Sequence, residues 1–223
     1  MAERQRERVD WRDGDVPVST LFDDPYYSLE NGLAETRHVF LAGNDLPARF
    51  VPGFRIAELG FGTGLNFLAA LAAFRAAGAG GKLHFTSFEA FPMPMTEMSK
   101  ALAQFPDLPG DVLLSDQTAY VPPKLAGADY ELQVIQGDAR QTLPAWNGQA
   151  DAWFLDGFSP AKNPELWEAA LMAEVARHTA PGGTFATYTA AGDVRRALDA
   201  AGFDVTRVPG FGRKRHMSVG RLR

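Results

Sequence analysis

The stretch at 153–167, WFLDGFSPAKNPELW, sets one carboxylate, Asp156, at the end of an apolar run. A glycine, an aromatic and two prolines follow it. A carboxylate so placed can accept hydrogen bonds from an incoming nucleophile and offset positive charge developing there, or take a proton if burial raises its pKa. A turn-forming or helix-capping aspartate is the plainer alternative. Upstream, Glu58-Leu59-Gly60-Phe61-Gly62-Thr63-Gly64-Leu65-Asn66 puts glycines at alternate positions before a helical pattern. Such a turn lets backbone approach a ligand, and the following helix aims its N-terminal amides there. A dinucleotide fingerprint would need glycine at Leu65 or Phe67, and the Gly-Lys-Ser/Thr ending of a phosphate loop is absent. Two further acids complete the set: Glu89, placed to accept hydrogen bonds from ribose hydroxyls, and Asp138 in Gly137-Asp138-Ala139.

These residues fall at the ends of a repeating unit. Short apolar runs at 54–59, 83–88, 131–136, 150–155 and 184–189 read as strands, with two more at 203–208 and 217–221. Helical patterns at 65–77, 94–105, 164–179 and 193–201 lie between them, the first stopping at Gly78 and the third carrying Pro164 in its first turn. Residues 108–128, with Pro122-Pro123, read as irregular. The alternation predicts an α/β fold with a mostly parallel seven-stranded sheet, its last two strands forming an antiparallel hairpin. Ligands of such sheets bind beyond the carboxyl ends of the strands, where Glu58, Glu89, Asp138 and Asp156 all stand. One structural domain is expected: 1–50 as a segment packing over the site and 51–223 as the sheet domain.

Composition narrows the chemistry further. The 223 residues hold no cysteine, and the four histidines never fall at metal-ligand spacing, so a metal-free protein is expected. No apolar run approaches the about 20 residues of a membrane span. The charged start, 1–15, lacks the apolar centre of a secretory signal, which points to the cytoplasm. Ser159 in Gly157-Phe158-Ser159-Pro160-Ala161 lacks the second glycine of a nucleophile elbow, which disfavours a hydrolase. Net charge is −5, yet 195–223 carries eight Lys/Arg against Asp199 and Asp204, a local charge of +6. That run is either a solvated face or a basic patch suited to a polyanion.

Three alternate glycines after an acid resemble the S-adenosylmethionine (SAM) turn of Rossmann-like class I methyltransferases. Methyl transfer is an in-line displacement at carbon, so catalysis there is chiefly alignment. An aspartate at the end of the fourth strand would aim an amine at the methyl group. More specifically, WFLDGFSPAKNPELW, ELGFGTGLNFL, SLENGLAETRHVF and GFGRKRHM resemble the methyltransferase domain of the tRNA 5-methylaminomethyl-2-thiouridine biosynthesis (MnmC/MnmD) family, from about Val16 to the C-terminus. The resemblance implies SAM-dependent N-methylation of an aminomethyl group on the tRNA wobble uridine, with the anticodon arm of tRNA as partner. It implies cofactor contacts at Glu58, Gly60, Gly62, Thr63, Gly64, Asn66, Glu89, Gly137, Asp138 and Asp156, and Asp156 as the catalytic residue at the substrate amine. Phe158 and Pro160 would wall the uridine, and Lys162 would reach phosphate or base. Asn31 and Glu35, with Tyr26, Tyr27 and Ser28, would close over the site, and Arg213, Lys214 and Arg215 would meet the polynucleotide. Many relatives carry a fused flavin-dependent oxidase. No second glycine fingerprint for FAD occurs here, so the chain is either a stand-alone enzyme supplied by a separate oxidase or a piece of a longer protein. Another SAM methyltransferase, or a non-catalytic SAM-fold module binding tRNA or protein, remains as the alternative.

Overall fold

In a computed structural model, which describes residues 9–12, 16–28, 31–114 and 118–223, the strand–helix alternation folds into three layers around a central sheet. The charged start up to residue 8 lies outside the described residues, as do 13–15, 115–117 and Leu29-Glu30 of the SLENGLAETRHVF motif. The first segment supplies β1 (Val9–Arg12), β2 (Val16–Ser19) and β3 (Asp24–Pro25), which form a small antiparallel sheet of their own. Next comes α1 (Gly32–Thr36), which runs on through a π-turn at Arg37–Leu41 and a 3-10 turn at Ala42–Asn44.

The main sheet is built from β4 (Arg55–Leu59), β5 (Leu83–Glu89), β6 (Lys124–Ala126), β7 (Tyr130–Gln136), β8 (Ala150–Leu155), β9 (Thr179–Thr187), β10 (Phe203–Pro209) and β11 (His216–Leu222). Its order is β10-β11-β9-β8-β4-β5-β7-β6. β4, β5, β7, β8 and β9 run parallel, and β11 is antiparallel to both β9 and β10. The sheet thus has eight strands where the sequence reading predicts seven. The extra one, β6, adds antiparallel to the free edge of β7 from within the segment read as irregular. Three half-exposed residues carry no readable period, and what makes them a strand is the open edge beside them.

β8 occupies the centre, with Trp153, Phe154 and Leu155 fully buried. It reads as a continuous apolar run because both faces of the sheet are covered. On one face Phe154 stacks on Phe40 at 5.4 Å and packs with Phe85 and Ile56 beneath α2 (Leu65–Ala77) and α3 (Met95–Leu102). On the other, Trp153 and Leu155 meet α5 (Ala139–Thr142), α6 (Ala169–Arg177) and α7 (Gly192–Ala200) through Leu143, Leu171, Val175 and Leu198. A short helix, α4 (Asp111–Leu114), adds Leu113 to the first core. The helix predicted at 164–179 divides: a 3-10 turn at Pro164–Trp167, extended backbone at Glu168, then α6. β9 begins at Thr179 instead of 184, with an irregularity in its register against β8 between Ala150 and Ala152.

Residues 31–50 form part of the first face. Asn44 donates to the Trp153 carbonyl at 3.2 Å and accepts from Thr184 at 2.6 Å, and Arg49 reaches the Asp151 carbonyl at 3.0 Å. No helix among the described residues is long and apolar enough to cross a membrane.

Candidate active site

The carboxyl ends of β4, β5 and β8 converge on one cavity of about 700 Å³. Gly60 closes the turn after β4 with φ +87°, and a Cβ there would lie 2.2 Å from the Asp156 carbonyl oxygen. Only glycine permits that approach of the two strand ends, because an L side chain meets both a strained dihedral and a backbone atom. The turn is fixed to β5 by the Gly60 N–H, which donates to the Phe88 carbonyl at 2.9 Å. Gly62 and Phe91 N–H groups donate to the Glu89 carboxylate at 3.0 and 2.7 Å. Burial raises the Glu89 pKa, and those backbone donors oppose the rise. Each of its oxygens still has a lone pair for a hydroxyl donor from the cavity.

Behind the cavity wall lies a network of buried polar groups. Asn66, in the first turn of α2, donates to Glu58 at 2.9 Å and to Asp156 at 2.7 Å. Its oxygen accepts from Thr36 at 2.8 Å, so all the amide's neighbours agree on one orientation. Ser87 donates to the other Glu58 oxygen at 2.7 Å. Burial drives the Glu58 pKa well up, with the charges of Asp156 and Glu89 adding to it against the Ser87 and Asn66 hydrogen bonds. Asp156 is pushed up to about 7, chiefly by burial and secondarily by the Glu35 charge, while Asn66 and Lys214 pull it down. Glu35 accepts from the Ser28 N–H at 3.0 Å and from Lys214 at 2.8 Å. Lys214 also sits 4.0 Å from the centre of the Tyr188 ring, and the Tyr188 hydroxyl donates to the Gly157 carbonyl at 2.6 Å.

The wall facing this cluster is aromatic. Phe158 stacks on Phe22 at 4.7 Å and meets Tyr26 edge-on at 5.2 Å. The loop after β8 is buckled to the first segment: the Ser159 N–H donates to Asp24 at 2.8 Å, and Trp167 donates to the Phe158 carbonyl at 2.9 Å.

Of the sequence-derived candidates, Gly60, Gly62, Thr63, Asn66, Glu89 and Asp156 line the cavity. Tyr27, Glu35, Phe158, Arg213 and Lys214 line it as well. Glu58 lies fully buried behind it, and Gly64 opens α2. Other candidates stand apart from the lining. Asp138 caps α5 and is clasped by the Arg140 guanidinium, which holds its carboxyl below the usual range, and Gly137 precedes it. Asn31 caps α1 by accepting from the Ala34 N–H at 2.9 Å. Lys162 is turned to the Asp23 carbonyl and lies 3.6 Å from Asp24. Pro160 and the exposed Arg215 lie outside the lining. Tyr188, Thr36 and Ser87 are the functional candidates that sequence reasoning missed. Tyr188 immediately follows β9, which ends at Thr187, two residues earlier than the run at 184–189 suggests, and there it obeys the same strand-end rule. Thr36 and Ser87 have no such signal.

The glycine turn, the buried acid after β5 and a cavity at the carboxyl edge of a mostly parallel sheet fit a nucleoside-bearing cofactor with no phosphate at the turn. They define a Rossmann-like class I SAM-dependent methyltransferase. A family model described as S-adenosyl-L-methionine-dependent methyltransferase matches residues 111–223, and the chain belongs to that family. It is 46% identical over 230 residues to the tRNA 5-methylaminomethyl-2-thiouridine biosynthesis bifunctional protein MnmC of Stutzerimonas stutzeri, covering 98% of this chain and 35% of that protein. The protein of the same name from Chromobacterium violaceum is 48% identical over 225 residues, covering 94% and 34%. The chain therefore spans about a third of the length of these curated relatives. Among solved structures, MNMC2 from Aquifex aeolicus superposes with a TM-score of 0.76 at 27% identity, covering all of this chain and 72% of that one. Among the described residues no group of three or more acidic or histidine side chains could hold a metal ion.

Proposed function

We propose that this chain methylates the amine of a 5-aminomethyl-2-thiouridine at the tRNA wobble position, giving 5-methylaminomethyl-2-thiouridine. The relatives' names supply the product, and membership of a methyltransferase family selects methyl addition as this chain's share of making it. The observation that carries the reading is Asp156, a carboxyl on the cavity wall, aimed by Asn66 and poised near neutrality. When bound, SAM supplies a methyl group on a positively charged sulfur. In this reading Gly60, Gly62, Thr63 and Asn66 face its methionine side, with Gly64 and Glu58 supporting the turn, and Glu89 takes the ribose hydroxyls. The adenine end meets Phe88 and Ala139, and Asp138 reaches it only by releasing Arg140.

Asp156 accepts a hydrogen bond from the substrate amine and holds its lone pair on line. As the nitrogen gains a carbon it loses a proton, and a carboxylate with a pKa near 7 is matched to receive that proton at neutral pH. Glu35 sets a second negative charge nearby, which disfavours a carboxylated side chain relative to an amine, and Lys214 offsets it. Phe158 provides a flat face for the uracil ring, and Tyr26 and Tyr27 belong to a cover that includes residues 22–28. The enzyme acts in the cytoplasm, where tRNA is, on aminomethyl groups supplied by a flavin-dependent oxidase activity, carried on a separate protein or elsewhere in a longer chain. The test is nucleoside mass spectrometry of tRNA bearing aminomethyl-thiouridine after incubation with the protein and isotopically labelled SAM. Label is expected in the wobble nucleoside, and its absence there would sink the substrate assignment.

A further inference from the structure

The eight Lys/Arg of the C-terminal stretch are not one surface. β11 runs antiparallel to β9, so its first residue lies at the cavity end of the sheet and its last at the opposite end. Seven residues at about 3.3 Å each separate those ends by roughly 20 Å. Arg221 and Arg223 are at the far end and are engaged: Arg221 lies 3.6 Å from Asp45, and Arg223 is paired with Asp199 and Asp204 at 3.0 and 3.2 Å. Arg196 is paired with Asp193, and Lys214 with Glu35. Each of these four already faces a carboxylate.

The cavity end is different. Arg207 lies diagonally across the hairpin from His216, because Pro209 faces His216 and Arg207 faces Ser218 in the register. Arg215 precedes His216, and Arg195 comes from the first turn of α7, which also begins at this end. Arg207, Arg215 and Arg195 thus flank His216 from the facing strand, the preceding residue and α7, and partial burial and then their charges hold its pKa below the usual value. Arg207 and Arg215 are exposed and have no carboxylate partner among the described residues. The adjoining loop lines the cavity through Phe211 and Arg213. A protein whose net charge is −5 thus keeps Arg207 and Arg215, exposed and without a carboxylate partner among the described residues, beside the loop that lines its site.

We infer that Arg207, Arg215 and Arg195 form a phosphodiester-binding ridge, which holds the RNA strand on one side of the nucleotide whose base enters the cavity. The inference rests on the proposed RNA substrate and adds where the strand runs. It also removes Arg196, Arg221 and Arg223 from the interface that the sequence run suggests.

The experiment measures tRNA affinity against salt concentration for the intact chain, for Arg207→Gln/Arg215→Gln and for Arg221→Gln/Arg223→Gln. Each single-strand phosphate contact contributes about 0.7 to the slope of log affinity on log salt, so the first pair should lower that slope by about 1.4. It should also weaken binding at low salt roughly tenfold. Arg207→Lys/Arg215→Lys should restore most of the slope, since point charges suffice for counterion release. SAM affinity measured by calorimetry should be unchanged in every variant, which reports intact folding. Equal losses in the two Gln pairs, or no loss in the first, would overturn the ridge while leaving the substrate assignment standing. Displacement of tRNA by polyglutamate as effective as by polyuridylate of equal length would overturn the RNA specificity of the ridge. A chain that binds tRNA at no salt concentration would overturn the substrate reading and the ridge with it.

Discussion

Asp156 is a carboxyl group kept from full ionisation by its place in the fold, and both its chemistry and its cost follow from that. Its pKa of about 7 means that the acceptor form fills in as pH rises through neutrality. Methyl transfer should therefore rise across that range and level off above it. Asp156→Asn keeps the shape and the Asn66 neighbour but loses the basic oxygen. It should lower kcat by about 10²–10⁴ and abolish the rise near pH 7, with SAM affinity changed no more than about threefold. Loss of SAM binding with turnover retained at saturating cofactor would reverse the assigned role. Stability has the opposite sign. The folded pKa is raised above the unfolded value, so the folded state holds a proton that the unfolded chain has released between about pH 4 and 7. The stability it contributes is full below that window and is lost as pH rises through it. Three units would amount to about 4 kcal/mol, and water in the cavity reduces this. Asp156→Asn should accordingly melt higher than the parent at pH 8 and close to it at pH 4.

At the scale of elements, the site depends on the crossing of two strand ends, β4 and β8, at Gly60. Gly60→Ala places a methyl group where the Asp156 carbonyl already stands and forces a left-handed dihedral on an L residue. It should cost about 3 kcal/mol or more in urea denaturation, because neither backbone can yield without moving its strand. The cavity-end residues were legible because they obey one rule: a side chain following a parallel strand faces the ligand. That rule placed Glu89 and Asp156 on the lining, while Glu58 is buried behind it, and applied to the end of β9 it also reaches Tyr188. It failed for Asp138, where a local partner two residues away, Arg140, competes for the carboxylate. It could not find Thr36 or Ser87, whose importance lies in contacts with residues 30 and 29 positions away. The parallel strands were readable from segments of five or more residues rich in apolar and β-favouring side chains, whereas β6 was not, since its identity is set by its neighbour's open edge. The break at Glu168 was hidden because both sides of it carry helical periodicity.

For the whole molecule, the cavity passes between the sheet edge and the first segment, so a ligand inside it touches both and ties them together. SAM at a hundredfold excess over its Kd should add about 2.7 kcal/mol to folding. That corresponds to a rise in Tm of about 5–10 °C for a chain of this size. Calorimetric scans with and without SAM would check it, and no shift would mean that the cofactor does not bind the folded chain. Charge is distributed at the same scale: the net charge is −5, yet Arg207 and Arg215 lie toward the cavity end without a carboxylate partner among the described residues. A polyanion would therefore be oriented before it makes contact, more strongly at low ionic strength.

The hydroxyl of Thr36 bears on how this chain can be handled. It belongs to the leading segment, yet it holds the amide that points at Asp156. In the same segment Phe40 stacks on Phe154, and Asn44 donates to the carbonyl of Trp153. A version starting at residue 51 would thus lack more than a cover. It would expose the central strand's apolar face to water and leave the Asp156 carboxyl without its aiming partner's anchor. Residues 36–44 are thus a wall of the sheet domain, and removing them should cost more than access to the cavity.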